Sequence, residues 1–328
     1  MPGANAVVTP VNDPLRFDAP LPYVRRYYPY GFPVDIASDA REVMELARES
    51  WAIYGARFDE TPMRVHVFVS EGSGGLPPAP VLRGQRHLLN WVSDQENFSV
   101  CDRLQRFAYC HVTRATVADG IFFRWHFLDA VIYMLLELNY ITSLHAACIA
   151  LDGAGVLLHG ESGVGKSTLA YACARRGWTY ISDDSSSLLW GRERSVIGEP
   201  HHFRFREEAP GIFPELRGLT VGRQLDHKPT IEVLTADLAI RTAPECRVSY
   251  MVFVDRRPGS RATLAPIGKA EVLERLQREV PVFDPALDAQ RRAAVESIAE
   301  APAFALLYGS FEEAIPLLEQ MVRAGGAA

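Results

Sequence analysis

Cysteine is scarce in this chain. The five residues, Cys101, Cys110, Cys148, Cys173 and Cys246, are odd in number, far apart, and contain no Cys-x-x-Cys pair. Neither a disulfide framework nor a zinc site is suggested by that spacing, and a reducing, cytoplasmic setting is expected. Long apolar runs are also missing. The most apolar stretch, Ala130 to Leu138, is broken by Glu137 and is much shorter than the roughly 20 apolar residues a bilayer-crossing helix needs. It reads as a buried helix, and no membrane partner is expected. The first 20 residues lack a positively charged start followed by an apolar segment, so they read as a loose, Pro-rich leader rather than a signal peptide. Positive charge is not in excess either. The formal net charge is -6, and Lys and Arg are scattered without a block of five like charges, which removes the electrostatic case for nucleic acid. Low-complexity tracts and internal repeats are absent.

What remains is the composition of an ordinary globular protein, 48% hydrophobic and 23% charged. Its length suits two unequal domains better than one. Three segments are expected: the leader over 1–20, an α+β domain over 21–120, and an α/β domain over 121–328.

Asp39 and Glu42 are placed like a capping box ahead of a helix carrying Val43, Leu46, Ala47 and Trp51 on one face. Met63 to Val69 alternates like a strand, and the Gly- and Pro-rich segment 71–80 ends it. Phe123 to Tyr140 reads as one long helix, followed by a strand over Ser143 to Ala150, a turn at Leu151-Asp152-Gly153 and a strand over Gly155 to His159. A helix over Lys166 to Arg176 is stopped by Gly177, and Thr179 to Ser182 is the next strand. Further strands are expected at 186–190, 230–234 and 248–254, and helices at 270–278 and 312–323. Pro316 inside the last of these predicts a late start or a kink.

Gly160-Glu161-Ser162-Gly163-Val164-Gly165-Lys166-Ser167 satisfies G-x-x-x-x-G-K-S/T between a strand and a helix. That context aims backbone N–H groups and a helix dipole at phosphate. The glycines permit close backbone approach, Lys166 serves the β and γ phosphates of ATP, and Ser167 is a ligand for Mg²⁺. Thr168 adds a contact to the α-phosphate.

Asp183-Asp184 closes the next strand, and ligands of parallel α/β sheets bind at carboxyl ends of strands. One carboxylate can hold Mg²⁺ and the other can accept the proton of an attacking hydroxyl. The favoured assignment is Asp183 as base and Asp184 on the metal side, with the reverse left open. A solvated Asp-Asp-Ser turn is the bland alternative.

The 42 residues from Ser143 to Asp184 resemble the catalytic core of bacterial HPr kinase/phosphorylase. The likeness rests on His145, the loop at Gly160, the Arg175-Arg176-Gly177 turn and the strand closing in Asp183-Asp184. It implies an α/β P-loop catalytic domain of the HPr-kinase and phosphoenolpyruvate-carboxykinase type behind a smaller α+β amino-terminal domain. It also implies that His145 sits near the transferred phosphate, and it allows a homo-oligomer. Two departures are visible. The first 120 residues do not match the amino-terminal domain of true HPr kinases. Glu215-Leu216-Arg217-Gly218-Leu219 echoes the first half of a family signature that Thr220-Val221-Gly222 does not complete. The chain looks more like the divergent HPr-kinase-like proteins encoded beside peptide-modification genes.

The activity expected is therefore transfer of the ATP γ-phosphoryl group to a hydroxyl, Ser foremost, of a peptide, small protein or small molecule. A nucleotide-responsive regulatory module and a simple NTPase are the rivals. Arg204, Arg206, Lys228 and Arg241 are candidate further cations, although surface solvation is the commoner role for any one of them. Tyr27, Tyr28, Tyr30 and Phe32 are assigned to packing before recognition.

Overall fold

A computed structural model describes residues 20–72, 74–223, 229–280 and 288–325. The leader expected over 1–20 lies outside the described residues except for its last position, and so does Lys228. The chain divides into two compact units, one of residues up to 83 with 89–132, the other of 84–88 with 133 onward.

The first unit is built on a seven-stranded sheet of β1 (Tyr23–Tyr27), β2 (Val34–Ser38), β3 (Met63–Ser70), β4 (Val81–Gln85), β5 (Leu88–Val92), β6 (Phe98–Asp102) and β7 (Phe107–Thr113), ordered β1-β2-β3-β7-β6-β5-β4. Alternation makes β3 a strand: Met63, Val65 and Val67 are buried while Arg64 is exposed. Helix α1 (Arg41–Trp51) buries Val43, Ala47 and Trp51, but no capping box starts it. Its N-cap is Ala40, and the Asp39 carboxylate instead accepts the Val69 amide of β3 at 2.9 Å. Tyr27, Tyr30 and Phe32 are buried, and Phe32 stacks on Phe58 with centroids 4.1 Å apart.

Helices α2 (Arg114–Ala118), α3 (Gly120–Phe123) and α4 (Asp129–Asn139) follow. The single helix expected over 123–140 is interrupted by a wider π-helical turn at Arg124–Leu128. The Asp129 amide donates to the Arg124 carbonyl five residues back, where the ladder widens. Among the described residues no helix is long and apolar enough to cross a membrane.

The second unit contains β8 (Ile141–Leu144), β9 (Ala146–Leu151), β10 (Ala154–His159), α5 (Lys166–Arg175), β11 (Thr179–Ser182), β12 (Ser186–Leu189), β13 (Ser195–Ile197), β14 (His202–Arg206), β15 (Gly222–Arg223), β16 (Pro229–Leu234), β17 (Arg241–Thr242) and β18 (Glu245–Arg256). It continues with β19 (Thr263–Ile267), α6 (Lys269–Glu279), α7 (Ala289–Ile298), β20 (Ala303–Tyr308) and α8 (Phe311–Gly325). The large sheet runs β17-β11-β9-β10-β18-β13-β12-β8, with β20 beside β18 and β19 beside β20, and β14-β16-β15 form a small separate sheet.

Two features of this order differ from the sequence reading. The strand expected over Ser143 to Ala150 is two strands broken at His145, because β8 pairs with β12 while β9 pairs with β10 and β11. Strand β9 also stands antiparallel between β10 and β11, so the loop strand and the Asp-pair strand run the same way without touching. Their carboxyl ends and the amino end of β9 therefore share one sheet edge.

Both sheet faces are covered, as the unbroken apolar run of β10 requires. Val156 and Leu158 join Leu169, Trp178 and Tyr180 in one core cluster, while Leu157 joins Ile181, Met251, Val272 and Leu276 in the other. Helix α8 runs unbroken past Pro316. The proline removes a single ladder bond, and buried Ala314, Ile315, Leu318, Met321 and Val322 hold the helix in place.

Helix α5 stops where Gly177 adopts φ +90°, and the Arg241 guanidinium donates to the Gly177 carbonyl. A side chain at that φ costs about 1–2 kcal/mol. Gly177→Ala is expected to lower stability by about that amount, read as an earlier midpoint in urea denaturation followed by circular dichroism. An unchanged midpoint would mean that the helix stop does not depend on glycine.

Candidate functional site

The phosphate loop takes the strand-to-helix form its sequence demands. Strand β10 ends at His159, and α5 begins at Lys166 with Gly165 as N-cap at φ 95°. Glycine is required there for a second reason, since a Cβ would lie 3.1 Å from the Tyr308 hydroxyl. The Leu169 amide donates to the Gly165 carbonyl at 2.8 Å. The amides of Lys166, Ser167 and Thr168 thus precede the helical ladder, at the end where the helix dipole favours an anion.

Lys166 is 4% exposed, and its Nζ donates to the Gly160 carbonyl at 2.7 Å and the Glu161 carbonyl at 3.1 Å. Burial lowers its pKa, while Asp184 and Glu279 pull it back up. The Ser167 hydroxyl donates to the Asp183 carbonyl at 3.1 Å, which ties the start of α5 to the end of β11.

The two carboxylates differ in environment. Asp183 is 7% exposed, and its Oδ2 accepts the Arg204 amide at 2.8 Å. Burial pushes its carboxyl up to about 6, against the Arg204 amide and guanidinium, which pull it down. Asp184 has a side chain 60% exposed, and its Oδ1 lies 3.1 Å from His145 Nδ1. His145 itself occupies the break between β8 and β9.

These groups converge on one cavity of about 370 Å³. Of the residues singled out in the sequence, His145, Ser162, Gly163, Gly165, Lys166, Ser167, Thr168, Asp183 and Asp184 line it. Gly160, Glu161 and Val164 are not among its lining. The first two hold Lys166 through their carbonyls, and Val164 packs against the core.

Arg204 and Arg206 also face the cavity. Arg204 is engaged by Glu199 at 3.8 Å and Glu232 at 3.6 Å, whereas Arg206 stands beside the loop, its guanidinium 4.0 Å from where a Gly163 Cβ would be. Arg241 is elsewhere, bonded to the carbonyl of Gly177.

Sequence reasoning missed Arg256 and Glu279. Arg256 ends β18, lines the cavity, and lies over the Phe311 ring at 5.0 Å. It stands at the carboxyl end of a strand parallel to β10, a place that the sheet order defines and the sequence alone does not. Glu279 receives the His145 backbone amide and His159 Nε2–H. Burial pushes its carboxyl up, and the two histidines more than offset that, leaving it below its ordinary value. Nothing local in the sequence marks it.

Around the loop the donors are hard oxygens, the Ser167 hydroxyl and the Asp183 and Asp184 carboxylates, which fit Mg²⁺. Among the described residues no group of three or more His, Cys, Asp or Glu side chains could hold a metal ion alone. A divalent ion here would rely on phosphate oxygens for part of its shell.

With the geometry in hand, likeness to known proteins can be placed on it. Residues 137–219 match the family described as the HPr Serine kinase C-terminal domain. An HPr kinase/phosphorylase of Enterococcus faecalis is 41% identical over 59 residues, 18% of this chain and 19% of the relative. One from Lactobacillus delbrueckii subsp. bulgaricus is 37% identical over 81 residues, 24% of this chain and 26% of the relative. The chain thus spans only about a fifth to a quarter of the length of the curated relatives it matches. A solved HPr(Ser) kinase/phosphatase of Coxiella burnetii aligns at 16% identity with a TM-score of 0.29, covering 56% of this chain and 96% of that one. The matched segment holds the phosphate loop, His145, the Asp pair, Arg204 and Arg206, and over those residues this chain is similar to the HPr Serine kinase C-terminal domain.

Proposed function

We propose that this chain is an ATP- and Mg²⁺-dependent kinase of the HPr-kinase type. It transfers the γ-phosphoryl group to a hydroxyl, Ser foremost, of a peptide, small protein or small metabolite in a cytoplasmic setting. The supporting observation is the meeting, in one cavity, of a phosphate loop, two carboxylates of unequal burial, a histidine and three arginines. Relatives named as HPr kinase/phosphorylases agree with phosphotransfer to a protein.

The roles follow from position. Loop amides and Lys166 receive the phosphate oxygens, with Lys166 exchanging its loop carbonyls for them. Arg206 on the Gly163 side and Arg256 on the Gly165 side meet the charge that spreads over the transferred group. Asp183 takes the acceptor proton: its raised value suits a base near neutral pH, a contribution of about 10²–10⁴-fold. The new bond joins the acceptor oxygen to the γ-phosphorus, the bond to the β,γ-bridging oxygen breaks, and ADP leaves. Ser167 and Asp184 would hold Mg²⁺, which would supply neutralisation of phosphate charge.

The test is incubation with Mg²⁺, γ-labelled ATP and a fractionated native extract beside a Lys166→Ala control. Label in a peptide, protein or metabolite that the control does not produce is the expected result. Release of free phosphate alone would replace the kinase with an NTPase, and ATP binding without turnover would replace it with a nucleotide-responsive regulatory module. Asp183→Asn is expected to abolish transfer and retain ATP binding.

The titration of Asp183 gives an independent check. Its folded value of about 6 lies above the ordinary 3.8, so its contribution to stability is most favourable at low pH and is lost as pH rises through about 6. Without metal or nucleotide, Asp183→Asn should gain on the wild type across that window by roughly 3 kcal/mol. A stability difference independent of pH would show that Asp183 carries no buried charge.

A further inference from the structure

Glu279 stands outside the family-matched segment and outside every motif in the sequence. We propose that it is the positioning residue of the phosphotransfer site, fixing His145 in its pair with Asp184 through the His145 backbone amide and the His159 ring. Its catalytic consequence rests on the kinase reading above; its structural content rests on geometry alone.

The break between β8 and β9 creates the need. Leu144 is paired with Ser186 on β12, and Ala146 with His159 on β10. The chain changes partners at His145, whose amide has no strand opposite it. A half-buried amide in that position requires another acceptor, and Glu279 Oε1 is that acceptor. The other oxygen of the same carboxylate takes His159 Nε2–H. His159 is the last residue of β10 and adjoins Gly160, so one side chain joins the backbone beneath His145 to the entrance of the phosphate loop.

The carboxylate is held from behind as well. Helix α6 buries Val272 and Leu276 in the core cluster beneath the sheet, and Glu279 is its last residue. A negative charge at a helix carboxyl end is disfavoured by the helix dipole, so stabilising α6 does not explain a glutamate here. Binding His145 and His159 does. The chain of support runs from the core through α6 to Glu279, then to His145, and from His145 Nδ1 across 3.1 Å to Asp184. A site needs such support when its side chains must stay within a fraction of an ångström of productive geometry.

The experiment uses the full chain with Glu279→Ala and the nearly isosteric Glu279→Gln, each alone and combined with Asp184→Asn. Histidine-selective NMR in the absence of nucleotide reads the His145 amide and ring. In the wild type, Asp184→Asn should shift the His145 ring signals. In the Glu279→Ala background that response should vanish, while Glu279→Gln, which keeps an acceptor for the amide, should preserve it. Turnover should fall about 100-fold in Glu279→Ala with KM for ATP little changed, the scale of a small misplacement of reacting groups, and should be largely restored in Glu279→Gln. A His145 ring that still responds to Asp184→Asn in the alanine variant would overturn the proposal, as would equal loss in both variants. If the wild type yields no phosphorylated product, the kinase reading fails while the NMR result still decides the role of Glu279.

Discussion

The register of one β-hairpin underlies the whole site. Strands β9 and β10 are joined by Asp152-Gly153, both at positive φ (50° and 83°), the two-residue turn whose twist matches that of the strands it joins. Leu151 therefore pairs with Ala154, and five pairs further on Ala146 faces His159. That pairing places His145 next to Gly160. A slip of one residue would invert every side chain of β9 between two apolar core clusters, so the buried faces hold the register that the turn sets. Strand β11 then lies on the far side of β9, bringing Asp183 to the same edge. Side chains from three separate segments meet because one strand runs against its two neighbours.

Burial divides the labour of the two carboxylates. Adjacent aspartates at a strand end point to opposite sides, and here one enters the protein and the other leaves it. Asp183, covered and bonded by the Arg204 amide, is pushed toward the neutral range. Asp184, mostly solvated, is paired with His145. Lys166 is held as firmly, its ammonium donating to the Gly160 and Glu161 carbonyls of the loop.

How much of this could be read from the residues depends on whether the information is local. The loop, helix α5, its stop at Gly177 and strand β11 were legible because motif and periodicity coincide over a short stretch. His145 was not legible from spacing; it came from family resemblance, and the strand break that frees it is invisible in an apolar run that continues through 146–150. The capping box failed because Asp39 is engaged by β3, thirty residues away, rather than by its own helix. The long helix failed because apolar spacing does not distinguish an α-helical turn from a π-helical one. Arg256 and Glu279 reach the site from β18 and α6, elements remote in sequence whose neighbours only the sheet order defines.

That remoteness bears on what the family likeness can carry. Residues 137–219 supply the loop, both carboxylates, His145 and the β14 arginines, the parts that handle phosphate. The same segment also supplies Phe205, Glu208, Ala209 and Ile212 of the cavity wall, while Pro229, Thr230 and Arg256, and the support from Glu279, come from chain beyond it. Phosphate is common to every substrate of such a chemistry, so its cradle is held within narrow limits, whereas an acceptor is recognised by whatever surrounds it. The incomplete signature at Glu215 to Gly222 lies just where the match ends. The likeness to the relatives therefore covers only part of the cavity wall.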